Sequence, residues 1–333
     1  MDRAVAVVIP TWNGRDYLDV VLPSLRAQTV GDFRVVVVDN GSTDGTADHL
    51  RSAYPEAELV EMGRNAGFAA AVNRGIEEAG AADVAVVNND LELHPRWLEC
   101  MVAALRDHQE AGSATGKMLF YDRRDVIDGA GDFTTWYAIS APRGRGETDA
   151  GQYDTPEPVF SACGGAALYR RAALDAVGPF DEDFFAYAED VDWGFRAQLG
   201  GWTCRYVPGA VAFHMGGATS ARVPNLSRYL FFRNTLSMVA KDWPAAALVR
   251  NAHRLVLFFA KSVAASIRGR WFGALLRATR DALRTLPRTL RKRREVQRSR
   301  RVGLDYLNGV VRRDYPLESR ILAFIDGAIL NRC

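Results

Sequence analysis

Cysteine is scarce in this chain of 333 residues: Cys100, Cys163, Cys204 and Cys333 show neither metal-ligand spacing nor the pattern of a disulfide framework. A disulfide-stapled scaffold is thereby excluded, and a reducing compartment is expected. Long apolar runs are lacking too. Residues 4–9 are too few for a signal peptide and stop at Pro10, while residues 255–260 are bracketed by Arg254 and Lys261, so no stretch can span a bilayer. Two phosphate-binding signatures are also missing: no G-x-G-x-x-G follows the first apolar run, and no G-x-x-x-x-G-K-S/T occurs anywhere. Neither a dinucleotide-binding fold nor a P-loop is supported, and a bound nucleotide would need another means of holding its phosphates.

What is present is enough apolar sequence for a full core, 48% of residues, as one large domain plus an appendage. The net charge of +2 conceals an asymmetry. Residues 1–244 carry about 22 Lys and Arg against about 34 Asp and Glu, whereas residues 245–302 carry about 16 against about 2. A basic tail calls for an anionic partner; the acidic body makes nucleic acid the poorer choice and phospholipid headgroups the better one.

Residues 4–9 and 33–39 are near-continuous β-branched runs, as in parallel strands covered on both faces. Between them, Leu18, Val21, Leu22 and Leu25 have helical spacing. The same alternation continues with a helix over 44–53, a strand over 58–62, a helix over 68–78 and a strand over 84–87. An open α/β sheet follows, with ligands expected at the carboxyl ends of its strands. Those ends carry Pro10-Thr11-Trp12-Asn13-Gly14, then Asp39-Asn40-Gly41-Ser42-Thr43-Asp44, then Asn88-Asn89-Asp90. Asp39 could accept from a pyrimidine N–H or a ribose hydroxyl, and Asp90 could hold a hard cation that bridges a diphosphate. Each segment also reads as an ordinary turn or helix cap.

Further along, residues 121–157 read as a long irregular excursion, either a mobile lid or an inert loop. Residues 161–171 read as a small-residue turn around Gly164 and Gly165, entering a strand and then a helix. The stretch 184–193 sets Glu189, Asp190 and Asp192 among Phe184, Phe185, Tyr187 and Trp193. Carboxylates among aromatic rings lose water, which tunes them for proton transfer; the alternative is a helix N-terminus whose acids complement the dipole. Two short strands, 204–207 and 211–213, lead to His214 before Met215, Gly216 and Gly217. One of only five histidines, His214 is a candidate metal ligand, or a histidine satisfied by backbone.

Taken together these segments resemble family 2 glycosyltransferases of the GT-A fold, in the branch of rhamnosyl- and galactofuranosyltransferases. The matching stretches are 8–14, 37–46, 64–75, Asn88-Asn89-Asp90, 164–166, 189–193 and His214, in family order over residues 4–240. The resemblance implies an open mixed sheet flanked by helices, with a catalytic domain at 1–240 and a basic helical region at 241–333. It implies a nucleotide-sugar site at Pro10, Thr11, Asn13, Asp39, Asn65, Gly67, Asn88 and Asn89. It implies a Mg2+ or Mn2+ ion on Asp90 and His214, with Asn88 departing from the family's Asp-x-Asp pattern, and a catalytic base at Asp190 with Glu189, Asp192 and Trp193 at the acceptor. The expected reaction is inverting transfer of L-rhamnose from a dTDP donor to a lipid-linked glycan. Alternatives are galactofuranosyl or hexosyl transfer from UDP or GDP donors, or nucleotide-sugar binding without turnover.

In the tail, basic residues recur every seven positions: Arg254, Lys261 and Arg268, then Arg270, Arg277, Arg284, Arg291 and Arg298. Seven residues are about two helical turns, so each series follows one face. Helices lying on an anionic membrane through residues 245–302 are expected, on the inner, cytoplasmic face, with Pro287 breaking the array. A packed helical subdomain or an oligomer contact is the other reading.

Overall fold

The computed structural model describes residues 5–80, 83–216 and 225–314; Gly217 and Cys333 lie outside them. Its first part alternates buried strands with amphipathic helices: β1 (Val5–Thr11), α1 (Arg15–Arg26), β2 (Phe33–Asp39), α2 (Thr46–Ala53), β3 (Glu58–Glu61), α3 (Phe68–Ala79) and β4 (Asp83–Val87). Then come β5 (Leu91–Leu93), α4 (Trp97–Asp107), β6 (Ala111–Phe120), β7 (Arg123–Gly129), β8 (Asp132–Thr134), β9 (Ser140–Pro142), β10 (Glu157–Val159), β11 (Ala166–Arg170) and α5 (Arg171–Val177). A 3-10 turn at Glu182–Phe184 precedes α6 (Glu189–Leu199) and β12 (Thr203–His214). The remainder is helical: α7 (Leu226–Asp242), α8 (Ala245–Arg250), α9 (Ala252–Arg268), α10 (Phe272–Ser299) and α11 (Leu304–Val310).

The main sheet has the order β10-β12-β6-β11-β4-β1-β2-β3. Strands β3, β2, β1 and β4 are mutually parallel, β11 is antiparallel to both neighbours, and β12 and β6 run parallel. It is the mixed, helix-flanked sheet that was expected. Its geometry gathers the site. Thr11 pairs with Asp39 at the ends of β1 and β2, and Ala166 pairs with Val87, so the Gly164–Gly165 turn meets the end of β4. At the other side His214 pairs with Leu91 of β5, and the Met215 amide donates to the Asp90 carbonyl at 3.0 Å, fixing the end of β12 beside Asp90.

Three expectations are corrected. Residues 121–157 are neither a lid nor an inert loop: β7 pairs with β6, β8 and β9 form a hairpin, and Phe133, Trp136 and Ile139 are buried. Their alternation was hidden by Arg and Asp on exposed positions. The two strands predicted before His214 are one strand, β12, with an irregularity in register between Val207 and Val211. Pro287 lies inside α10 rather than ending it. It and Leu283 both stand on the exposed side, where water can serve the carbonyl that proline leaves without a donor.

The C-terminal helices do not stand apart. One hydrophobic cluster joins Trp136, Ile139, Phe184 and Phe195 to Phe232, Trp243, Phe258, Trp271 and Leu275. The boundary anticipated near residue 240 thus falls within a shared core, with α7 as its shared helix.

Candidate active site

A cleft of about 410 Å³ opens where these elements meet, and Asp90, His214 and Asp190 all line it, together with Pro10, Thr11 and Asn65. The three candidate catalytic and metal-binding side chains, more than 120 residues apart at the extremes, therefore converge.

On one part of the wall His214 Nε2 lies 3.3 Å from Asp90 Oδ2, and its Nδ1 lies 2.7 Å from Asp128 Oδ2. Arg145 in turn meets Asp128 at 3.1 Å. Burial alone would favour the neutral ring, but the hydrogen bonds to Asp128 and Asp90 outweigh it and push the His214 pKa up to about 10. Asp128 is fully buried, which works against its charge, yet Arg145 and His214 hold its carboxyl below the ordinary value. Asp128 fixes the orientation of the imidazole as a carboxylate does behind a metal-bound histidine.

The donors fit a hard cation. Neighbouring ligands in an octahedral shell of roughly 2.1 Å radius lie about 3 Å apart, close to the separation of His214 Nε2 and Asp90 Oδ2. Asn88 Oδ1, two residues before Asp90, is buried without a hydrogen-bond partner and adds a neutral oxygen to the same cleft. Among the described residues no group of three His, Cys, Asp or Glu side chains is arranged to hold a metal ion unaided. A diphosphate would have to complete the shell.

Asp190 stands in the first turn of α6. Its Oδ2 accepts from the Gly164 amide at 2.8 Å and its Oδ1 from the Val191 amide at 2.7 Å. Gly164 makes room there, since a Cβ at that position would press on the Asp190 Cβ at 3.1 Å. Burial raises the Asp190 pKa while those amides oppose the rise, leaving a carboxylate that is more basic than a solvated one. Its neighbour Glu189 is pushed further, to about 8, by burial and then by the Asp190 charge. Glu189 Oε2 is buried and unpartnered in the cleft wall. Asp132 is likewise raised well above the carboxylate range by burial and by Asp190. Amide donors favour the charged form, and in this cluster two of them meet Asp190.

The turn that delivers Asp190 is strained. Phe185, Tyr187 and Ala188 have φ of +65°, +70° and +64°, a region unfavourable to side chains. It is clamped from α7, where Asn234 Nδ2 lies within 2.7–3.0 Å of the carbonyls of Phe184, Ala186 and Tyr187. Arg233 also donates to the carbonyls of Asp183 and Phe184. Opposite, Gly67 has φ of +96°, and a Cβ there would sit 2.6 Å from Phe185. Only glycine lets the two loops approach.

Around the expected nucleotide pocket, Asn89 donates to Thr11 Oγ1 at 2.9 Å. Asn40 ties the next loop, donating to Asn65 Oδ1 at 3.2 Å and to the Gly67 carbonyl at 3.1 Å. Asn13 and Asp39 are not among the cleft-lining residues. Asn13 Oδ1 accepts from the Thr43 amide at 2.7 Å and Asp39 Oδ1 from the Ser42 amide at 3.1 Å, so both brace the loops at the ends of β1 and β2. Asp192 and Trp193 need correction more plainly. Asp192 is fully buried between Arg196 at 3.0 Å and Lys241 at 2.5 Å, and Trp193 donates to the Gly178 carbonyl within a cluster with Tyr169 and Phe180. The first turn of α6 presents Glu189, Asp190 and Val191 to the cleft, while Asp192 and Trp193 point into the core.

Sequence reasoning missed Asp128, Asp132 and Arg145, all lining the cleft. The available signal was two carboxylates bracketing Gly129-Ala130-Gly131, small residues beside acids as at Gly164–Gly165.

The family model for glycosyl transferase family 2 matches residues 6–178, and the chain belongs to that family. It is 32% identical over 246 residues, 67% of this chain and 80% of the relative, to the N-acetylglucosaminyl-diphospho-decaprenol L-rhamnosyltransferase of Mycobacterium tuberculosis. A second relative, glycosyltransferase AglE of Haloferax volcanii, is 28% identical over 63% of this chain and 66% of its own. Among solved structures, the mannosyltransferase PcManGT from Pyrobaculum calidifontis in complex with GDP-Man and Mn2+ superposes with a TM-score of 0.56 at 18% identity, covering 99% of this chain and 87% of that one. The architecture is that of the GT-A glycosyltransferases.

Proposed function

We propose that this chain is a metal-dependent inverting glycosyltransferase that moves L-rhamnose from its dTDP donor onto a lipid-linked glycan. The observation that carries the reading is the convergence of Asp90, His214 and Asp190 on one cleft. The sugar and the class of acceptor rest on the similarity to the mycobacterial rhamnosyltransferase.

Asp190, held by two amides that favour its carboxylate form, accepts the proton of the acceptor hydroxyl. The acceptor oxygen bonds the anomeric carbon from the face opposite the diphosphate; the old C–O bond breaks and its electron pair leaves with the diphosphate. One carboxylate suffices for such a single displacement. Glu189, protonated at neutral pH, donates its hydrogen bond to an acceptor oxygen without competing for the transferred proton. Pro10, Thr11, Asn65, Gly67, Asn88 and Asn89 flank the nucleotide and its sugar, with Asn13 and Asp39 bracing that pocket. A Mg2+ or Mn2+ ion held by Asp90 and His214 would neutralise charge developing on the leaving diphosphate. Asp128 keeps the imidazole aimed for that contact.

No described helix is long and apolar enough to cross a membrane. We infer peripheral attachment instead: Ile267, Leu276, Leu283 and Leu290 are exposed on α9 and α10 beside the exposed Arg268, Arg277, Arg284 and Arg291. Such a face suits an anionic bilayer surface, where its acceptor lies.

The test is transfer from dTDP-rhamnose to N-acetylglucosaminyl-diphospho-polyprenol with Mn2+ or Mg2+, with the anomeric configuration read by NMR. Asp190→Asn should lower the transfer rate by about 10²–10⁴ while nucleotide binding persists; transfer at the wild-type rate would refute the assignment.

A further inference from the structure

Lipid-linked acceptors must lead their hydrocarbon chain out of the catalytic cleft, and the surface beside it holds a second cavity unlike the first. About 420 Å³ in volume, it is lined by Ala138, Leu236, Val239, Leu255, Phe258 and Phe259 among others, Thr235 being the one polar residue among the described lining residues. That volume falls within the range of ordinary ligand pockets, about 300–1,000 Å³.

Its position is informative. Leu226, Leu230 and Phe231 of α7 line the catalytic cleft, and Thr235, Leu236 and Val239 of the same helix line the apolar groove. From Phe231 to Thr235 the helix advances by only about 6 Å. The β8–β9 hairpin makes the same link, since Ala138 lines the groove while Ser140 and Ala141 line the cleft. Two separate elements thus carry one surface from the reacting centre into the groove, and the cleft turns apolar on the side that faces it.

We propose that this groove between α7 and α9 binds the first isoprenoid or acyl units of the acceptor lipid, so that the diphosphate-linked sugar lies in the catalytic cleft and its chain follows α7 outward. The proposal rests on the lipid-linked acceptor reading. The groove then selects acceptors by their tail, independently of the sugar, and the remainder of the chain passes into the bilayer against which α9 and α10 lie.

The experiment uses the full chain and a geranylgeranyl diphosphate bearing a diazirine at its far end. Photolabelling should map to peptides carrying Leu236–Val239 or Leu255–Ala260, with competition by unlabelled prenyl diphosphate and none by dTDP. Ala260→Trp introduces bulk from an exposed lining position and should cut labelling about tenfold; Ala264→Trp, exposed further along α9 and outside the lining, should not. In parallel, donor hydrolysis is measured for all three proteins and should be unchanged. Labelling that maps elsewhere, or that survives Ala260→Trp undiminished, overturns the groove. So does a monomer-to-dimer difference between wild type and Ala260→Trp by light scattering with labelling unchanged, which would give the groove to a second copy. A labelled groove in a protein that turns over no nucleotide sugar would instead remove the transferase reading and leave the lipid site standing.

Discussion

Asn234 is the side chain on which the geometry of the catalytic turn should depend most. Its amide nitrogen faces three carbonyls of residues 184–187, while Phe185, Tyr187 and Ala188 hold strained conformations with positive φ. Each such conformation costs about 1–2 kcal/mol, so the turn has a standing tendency to relax. Asn234→Leu keeps the volume and removes the donor. Leaving buried carbonyls unpaired costs about 1–3 kcal/mol; of the three, Arg233 still meets the Phe184 carbonyl, which places the expectation at about 2 kcal/mol. For a cooperative unit of roughly 300 residues that is about 3 °C in Tm. Because α6 begins at Glu189, directly after the turn, relaxation should move Asp190 and lower kcat while the donor KM stays nearly constant. Asn234→Asp should be worse than Asn234→Leu, since it sets an anionic oxygen against carbonyl oxygens. Melting curves and steady-state kinetics on both variants decide the matter: an unchanged Tm and kcat for Asn234→Leu, or an Asn234→Asp as good as wild type, would show that the turn does not need its clamp.

Three further outcomes are expected. Binding of Mn2+ requires the proton on His214 to leave, and with that pKa near 10 the apparent affinity should rise about tenfold per pH unit across neutrality; titration calorimetry at several pH values would expose a flat profile if His214 were no ligand. Asp128→Asn should weaken Mn2+ binding by about 10–100-fold without removing a ligand, again by calorimetry. Lys241→Met should destabilise the fold by about 3–5 kcal/mol, because Lys241 meets Asp181 at 2.6 Å and Asp192 at 2.5 Å inside the protein. Burial opposes the charge on Asp181, but Lys241 and Lys292 hold its pKa far below the ordinary 3.8. The stability from that group is therefore full above about pH 4 and lost as the pH falls further; urea melts at pH 3 and 7 should show the difference between wild type and variant shrinking in acid.

The β-α-β alternation was legible because parallel strands covered on both faces are continuous apolar runs, as in residues 4–9 and 33–39, and their boundaries fell within a few residues. The polar strand ends were legible as a site for the same reason: ligands meet the carboxyl edge of such a sheet. Residues 121–157 were not, because β7 starts with Arg123-Arg124-Asp125, exposed and charged, and buries only its last residues. Asp192 misled because composition cannot tell which of three acids on one helical turn faces inward; its partner Lys241 lies 49 positions away. Pro287 misled because a proline's effect depends on whether water can reach the carbonyl it strands, which burial decides and local sequence does not.

Ion pairs between the last long helix and the catalytic body give that helix a second task. Lys292 meets Asp181 and Asp183, and Arg288 reaches Asp183 at 2.8 Å. Asp181 shares Lys241 with Asp192, which belongs to the helix bearing the proposed base. A truncation near residue 244 would consequently strip counterions from the interior as well as remove the proposed membrane-binding surface, and loss of sedimentation with vesicles would be inseparable from damage to the fold. Charge reversal at the exposed Arg284 and Arg291 leaves this inner wiring intact. The same wiring means that a force applied to the C-terminal helix by its surroundings is delivered, through three salt links, to the segment where sugar transfer would occur.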